Sequence, residues 1–222
     1  MTINLFIEAI TKVFLGIVFF GAIIFLPAGT FFSNGLFLMI LLFVPMLFTG
    51  IVLFFKSPDL LKKRLKAREK QQEQNKIVKL CGLMFIFGFV VAGLTIRFEW
   101  YILPRCIVGL AALFFLVGYG LYAEVLRENA YLSRSIEIQE GQIVVDTGLY
   151  GIVRHPMYSA TVFIFLSMPL ILGSIYAFLF FLAYPFIIVK RIKSEEEFLE
   201  KELEGYCEYK KKVKYRMIPF VW

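Results

Sequence analysis

Four apolar blocks in this chain are each long enough to cross a bilayer, which takes about 20 apolar residues in a helix. They run from about Val13 to Phe32, Leu36 to Phe55, Leu80 to Ile96 and Ile102 to Val125. Ser33-Asn34-Gly35 supplies a tight turn between the first two. The link from Arg97 to Tyr101 carries Trp100 and Tyr101, which suit the aromatic belt of a membrane–water interface. No A-x-A-like cleavage site follows the opening block and only Lys12 flanks it, so it reads as a retained span and not a signal peptide.

Composition agrees with the run lengths. Apolar residues make up 59% of the 222, including 26 Phe. A soluble domain sits near 45–50%. The net charge of +7 does not point to nucleic acid, because the basic residues flank apolar blocks instead of lining a soluble face. His155 is the single histidine, and Cys81, Cys106 and Cys207 have no ligand-like spacing, so no metal site is expected.

Lys and Arg set the orientation. They crowd into 56–79, 126–157 and 190–222, and with Lys12 these regions hold all but Arg97 and Arg105 of the 24. The positive-inside rule places those regions and both termini in the cytoplasm. The last apolar block, 158–192, must then enter and leave on one side. Gly173-Ser174 divides it into arms of about 15 and 16 residues, each reaching roughly 23 Å as helix against a hydrocarbon core of about 30 Å. A short membrane hairpin is expected, with its full crossing left open.

The expected fold is all-α: a polytopic membrane bundle of four spanning helices, a C-terminal helical hairpin and a cytoplasmic C-terminal helix. Two regions follow. Residues 1–125 form the four spans with a basic cytoplasmic arm at about 56–79. Residues 126–222 form a cofactor-binding loop, the hairpin and the tail. In the arm, Ser57 and Pro58 suit a helix start. Leu60, Leu61 and Leu65 would lie on the membrane while Lys62, Lys63, Lys66 and Lys70 face lipid phosphates; a solvated connector fits equally well.

Two clusters carry chemistry. Asp146-Thr147-Gly148-Leu149-Tyr150-Gly151 leads into Arg154-His155-Pro156-Met157-Tyr158. Pro156 suits the first turn of a helix, whose N-terminal N–H groups, with Arg154 and His155 beside them, attract carboxylates or phosphates. An interfacial anchor would use the same residues. The second cluster is Lys190-Arg191 through Glu195-Glu196-Glu197. Helical geometry sends adjacent carboxylates to different faces, so one can meet ribose hydroxyls or a cation while others stay in solvent. A hairpin that returns to its starting face brings the two clusters together. S-adenosylmethionine offers groups to match: a carboxylate, an ammonium, a sulfonium and ribose hydroxyls, with Tyr150 or Tyr158 facing the sulfonium.

Over about 140–222 the sequence resembles the isoprenylcysteine carboxyl methyltransferase family, with more distant similarity to phospholipid methyltransferases. The resemblance rests on Thr147-Gly148-Leu149-Tyr150 with Val153-Arg154-His155-Pro156-Met157-Tyr158, on Glu195-Glu196 with Leu199, and on Leu203, Gly205-Tyr206, Tyr209, Val213, Tyr215-Arg216, Ile218-Pro219 and Trp222. It implies that Gly148, Tyr150, His155, Pro156, Met157, Tyr158 and Glu195 bind S-adenosylmethionine. It implies that Arg191 orients a substrate carboxylate and that Glu196 joins Glu195 in closing the cofactor site; Arg154 and Glu196 stand with Arg191 as the candidate catalytic residues. The implied acceptor is a lipophilic small molecule or lipid-modified substrate reached from the membrane lipids, and many members are prokaryotic, which implies a bacterial or archaeal cell membrane. Ser159-Ala160 departs from the glycine many members carry two residues after the Tyr. A carboxylate acceptor needs no general base; an amine or phenol would ask His155 or Glu196 to take a proton. Two other classes remain: a nicotinamide-dependent membrane reductase of steroid 5α-reductase type, and a non-catalytic scaffold or transporter. No sequence signal sets the oligomeric state.

Overall fold

The computed structural model describes residues 2–66, 72–133 and 137–222. Its helices are α1 (Thr2–Ala28), α2 (Ser33–Lys56), α3 (Pro58–Lys66), α4 (Gln72–Arg97), α5 (Arg105–Glu128), α6 (Pro156–Ile171), α7 (Ile175–Phe181), α8 (Ala183–Glu202) and α9 (Tyr206–Lys212), with a 3-10 turn at Gly148–Gly151. Among the described residues there is one isolated β-bridge, Ile102 to Ser174, and no strand. Among the described residues, five helical stretches are long and apolar enough to cross a membrane: Ile3–Ala28, Ser33–Lys56, Gln74–Arg97, Arg105–Glu128 and Ile175–Glu202. The chain is an all-α polytopic membrane protein, as its apolar blocks require.

Helix ends differ from the sequence expectation in three places. The first helix starts at Thr2 instead of near Val13 and stops at Ala28, where Gly29 takes a positive φ of 70°. The fourth starts at Gln72, well before Leu80, because the polar residues 72–79 continue the helix beyond its apolar part. The hairpin's second arm runs on from Ile175 to Glu202, with a small offset at Leu182, and is far longer than 16 residues. Charge ended the apolar count at Lys190, but charge does not end a helix.

The hairpin reaches the opposite end of the bundle. The Leu103 N–H donates to the Gly173 carbonyl (2.9 Å), and Thr95 and Ser174 share a fully buried hydroxyl–hydroxyl bond of 2.7 Å. Ser174 also caps α7 by accepting from the Ala177 N–H (3.1 Å). The tip therefore sits with the α1–α2 and α4–α5 links, as Asn34 beside Gly173 also shows.

Without a hydrophobic drive between helices in lipid, close packing and buried hydrogen bonds hold such a bundle. α5 and α6 pack along their lengths. At Gly118 an added Cβ would lie 2.8 Å from the Phe163 Cβ and 3.0 Å from the Ala160 carbonyl, so the glycine that lets the helices approach stands in α5, opposite the fully buried Ala160. An aromatic cluster joins α1, α4, α6, α7 and α8: Phe20–Phe89 (5.5 Å), Phe89–Phe181 (5.4 Å), Phe85–Phe165 (4.8 Å) and Phe165–Tyr184 (4.8 Å between centroids).

α3 departs from the membrane-lying picture. Leu60 and Leu61 are buried in the protein, and Arg64 lies over the Tyr122 ring and bonds its hydroxyl. The Lys12 ammonium donates to the Leu65 carbonyl (2.5 Å), and Lys63 bonds Gln139. Lys62 and Lys63 are exposed. The Lys66 side chain and Lys70 lie outside the described residues. Apolar positions on a short amphipathic helix fit a protein face as well as a lipid one, and sequence does not separate the two.

Candidate active site

At the end of the bundle away from the hairpin tip, α6 and α8 open onto a cleft. It encloses about 890 Å³ of empty space, open solvent included. One wall is Tyr150, Arg154, His155, Met157 and Tyr158; the facing wall is Arg191, Glu195, Leu199 and Leu203. The loop after α5, including Asn129, Tyr131 and Gln142, closes one side, and Tyr206 and Tyr209 of α9 close another.

Local folding explains how the first wall is held. Gly148 has a φ of 51°, and an added Cβ there would collide with the Glu128 carboxylate. That carboxylate accepts from the Leu149 N–H (3.0 Å), tying the 3-10 turn to the end of α5. The turn presents the Tyr150 ring to the cleft. Its hydroxyl accepts from Asn129 Nδ2 (2.9 Å) and its carbonyl accepts from the Tyr209 hydroxyl (2.7 Å). Burial, with Glu195 and Glu128 adding to it, pushes the Tyr150 phenol up to about 12. Pro156 begins α6, and the Arg154 and His155 N–H groups donate to the carbonyls of Tyr215 (2.9 Å) and Arg216 (2.8 Å). The Ser159 hydroxyl donates to the Met217 carbonyl (2.6 Å), so the C-terminal segment straps the start of α6.

The three consecutive carboxylates of α8 take three directions. Glu197 is exposed. Glu195 faces the cleft one turn after Arg191, and Tyr158 joins them: its hydroxyl donates to Glu195 Oε2 (2.6 Å) and accepts from Arg191 Nε (2.9 Å). Glu196 turns inward and is 2% exposed. It accepts from Arg154 Nε (2.7 Å), Arg216 Nε (2.8 Å) and His155 Nε2 (3.2 Å). Arg154 also donates through Nη1 to the carbonyls of Val213 (2.6 Å) and Lys214 (2.8 Å).

The residues singled out from sequence therefore divide. Tyr150, His155, Met157, Tyr158, Arg191 and Glu195 line the cleft together. Arg154 reaches its wall, but its guanidinium is committed to Glu196 and the tail. Gly148, Pro156 and Glu196 do not line it. For Glu196 the reason is plain: a buried carboxylate surrounded by two guanidinium groups and an imidazole is the hub of a clasp, turned away from the cleft. The sequence places a cofactor-binding loop after residue 125 but singles out no individual residue from Asn129 to Val145, and it gives Tyr206 and Tyr209 only a place in a motif. The Tyr206 hydroxyl is buried without a hydrogen-bond partner among the described residues, and burial raises its phenol. A polar loop following a span was the available signal for the loop.

Residues 110–201 match the family model described as "Isoprenylcysteine carboxyl methyltransferase (ICMT) family". The matched segment runs from within α5 nearly to the end of α8 and so contains both walls of the cleft except Leu203, while the α9 tyrosines also lie beyond it. The chain is thus a membrane protein whose cleft-bearing segment is similar to that family. A solved structure of the eukaryotic intramembrane Ras methyltransferase ICMT, without a monobody, is similar at 17% identity and a TM-score of 0.49, covering 99% of this chain and 85% of that one. No curated protein sequence matches the chain.

Proposed function

We propose that the cleft binds S-adenosylmethionine and that the protein methylates a carboxylate on a lipophilic acceptor drawn from the membrane. The observation that carries this reading is the Arg191–Tyr158–Glu195 array: a cation and an anion held about one helical turn apart on one wall, bridged by a phenol, inside the matched segment. S-adenosylmethionine supplies a methyl group on a positively charged sulfur. A carboxylate oxygen takes that methyl as the carbon–sulfur bond breaks; an ester and a neutral thioether result, and no proton moves.

The residues present suit those tasks. Glu195 accepts from ribose hydroxyls or faces the ammonium. The Tyr150 and Tyr158 rings offer π faces to a sulfonium, a contact of roughly 0.5–2 kcal/mol. His155 and Met157, at the start of α6, meet the donor's carboxylate where backbone N–H groups carry partial positive charge. Arg191 orients the acceptor's carboxylate, and the unpartnered Tyr206 hydroxyl gains a polar partner when the cleft fills. Tyr158 couples the two charged groups, so donor and acceptor are positioned by one rigid unit. Arg154 and Glu196 are positioning residues that hold His155 and the tail. A carboxylate acceptor, with a reference pKa near 4, needs no base. The Lys and Arg distribution supports a cytoplasmic cleft end and cytoplasmic termini, and the resemblance to a family with many prokaryotic members supports a prokaryotic cell membrane.

The test is binding of S-adenosylmethionine, S-adenosylhomocysteine and NADPH to the detergent-purified protein, repeated with Glu195→Gln and Tyr206→Phe. Selective binding of the two adenosyl compounds, weakened in Glu195→Gln, is expected. Selective NADPH binding, or no nucleotide binding by a folded sample, would overturn the reading. A labelled-methyl screen against lipophilic carboxylates then identifies the acceptor; label on an amine instead of an ester would overturn the carboxylate assignment.

A further inference from the structure

A second concavity lies between α4 and α8, and no residue is shared between its lining and that of the cleft. Its floor is apolar: Ile77 and Leu80 of α4, Phe186 and Ile187 of α8. Its polar lining is two lysines, Lys76 and Lys190. Leu80 is 52% and Phe186 77% exposed, so the groove opens on the outer surface of the bundle, where lipid lies.

Depth fixes what the groove meets. The buried Thr95–Ser174 bond marks the far end of α4 and of the continuous α7–α8 stretch. At about 1.5 Å per residue, Lys190 lies roughly 24 Å and Lys76 roughly 29 Å along its helix from that mark. The hydrocarbon core is about 30 Å thick, so both ammonium groups stand at the headgroup level of the cleft end while the apolar floor extends into the acyl region. Basic pockets between transmembrane helices at that level are suited to acidic lipid headgroups.

We infer that the α4–α8 groove is a binding site for an anionic phospholipid, its phosphate held between Lys76 and Lys190 and an acyl chain laid over Ile77, Leu80 and Phe186. A zwitterionic headgroup carries no net charge to match the two cations. Free phosphate matches the cations but leaves the apolar floor uncovered. Lys190 precedes Arg191 on α8, so lipid in the groove steadies the helix that carries the acceptor-orienting arginine, and the inference stands on the groove's own residues whether or not the cleft reading holds.

The experiment uses the full chain, delipidated in detergent, and measures binding of fluorescent phosphatidylglycerol with phosphatidylcholine and inorganic phosphate as competitors. Unlabelled phosphatidylglycerol is expected to displace the probe, and phosphatidylcholine and phosphate are expected to leave it bound. Lys76→Gln with Lys190→Gln is expected to weaken binding by about tenfold or more. Lys56→Gln with Lys62→Gln removes the same charge away from the groove and should change binding less than twofold. Leu80→Trp fills the groove with every charge kept and should weaken binding as strongly as the groove-lysine pair. Thermal unfolding and gel filtration certify each variant as folded. Equal losses in the two lysine pairs, displacement by phosphate, or full binding by folded Leu80→Trp would each overturn the site.

Discussion

Helices α1 and α2 and the region from the 3-10 turn to the tail are built on opposite principles. Within the apolar windows of α1 and α2 only 6% and 11% of residues are buried in the protein, against 33% in the α7–α8 stretch. Phe14, Phe48 and Phe55 point outward at 62%, 69% and 78% exposure. Their environment is lipid, and hydrophobicity and length suffice to specify them. The region around the cleft instead closes on named partners: Glu196 on two arginines and a histidine, Ser159 on a tail carbonyl, Glu128 on the 3-10 turn. The bilayer shapes the first region generically, whereas each bond in the second depends on one residue. Tolerance to substitution should follow that division.

Removing the centre of the clasp should have the largest effect. Glu196→Ala leaves the buried Arg154 guanidinium without its counter-charge, a loss of about 3–5 kcal/mol. Thermal unfolding in detergent should show a large drop, with the tail more open to protease. Retention of wild-type stability would remove the clasp from its assigned role.

Next comes Arg191→Ala, read by kinetics. Transfer to a carboxylate acceptor should fall by roughly 10–100-fold in kcat/KM, the loss of charge-assisted hydrogen bonds, while S-adenosylhomocysteine affinity changes little. A loss confined to cofactor affinity would reassign Arg191 to the donor.

Backbone-limited positions sharpen the comparison, because one lies in the turn that holds the cleft wall and the other in a packed helix–helix contact. Gly148→Ala must abandon a φ of 51° and displace the Glu128 carboxylate, and Gly118→Val must part α5 from α6. Each should destabilise by about 1–3 kcal/mol. If Gly118→Val is neutral, packing in the apolar interior is looser than the structure shows.

The Tyr150 phenol gives a smaller effect with a defined sign. Its folded value of about 12 exceeds the ordinary 10, so the folded state holds the proton more tightly. That contribution is complete below pH 10 and is lost as pH rises toward 12. Tyr150→Phe should flatten the alkaline fall in stability over that window; an unchanged slope would assign the fall to other groups. Smallest of all, Phe48→Leu on the lipid face should stay within about 0.5 kcal/mol of wild type by the same unfolding measurement.

Much of this was legible in the residues. Uninterrupted apolar runs required helices, Ser33-Asn34-Gly35 and Gly173-Ser174 marked turns, and the one-residue steps of Glu195-Glu196-Glu197 already required three directions. Helix ends were less legible: residues 72–79 and 193–202 are polar, yet they continue helices, since backbone hydrogen bonding does not stop where hydrophobicity does. Leu60 and Leu61 were read toward lipid and are buried against protein, because an apolar stripe does not name its partner.

By itself, then, the sequence determined an all-α membrane bundle, a hairpin returning to one end, and two polar clusters meeting there. Those follow from period, length and charge, which are local properties. Tertiary structure alone decided which carboxylate is available. Glu195 and Glu196 are adjacent and chemically identical, and a rotation of about 100° about α8 puts one on the cleft and the other in the Arg154–Arg216 clasp. It also decided that Arg191 and Glu195 share one phenol, since Tyr158 comes from the other arm of the hairpin. The proposed site rests on these long-range pairings, and no window of neighbouring residues contains them.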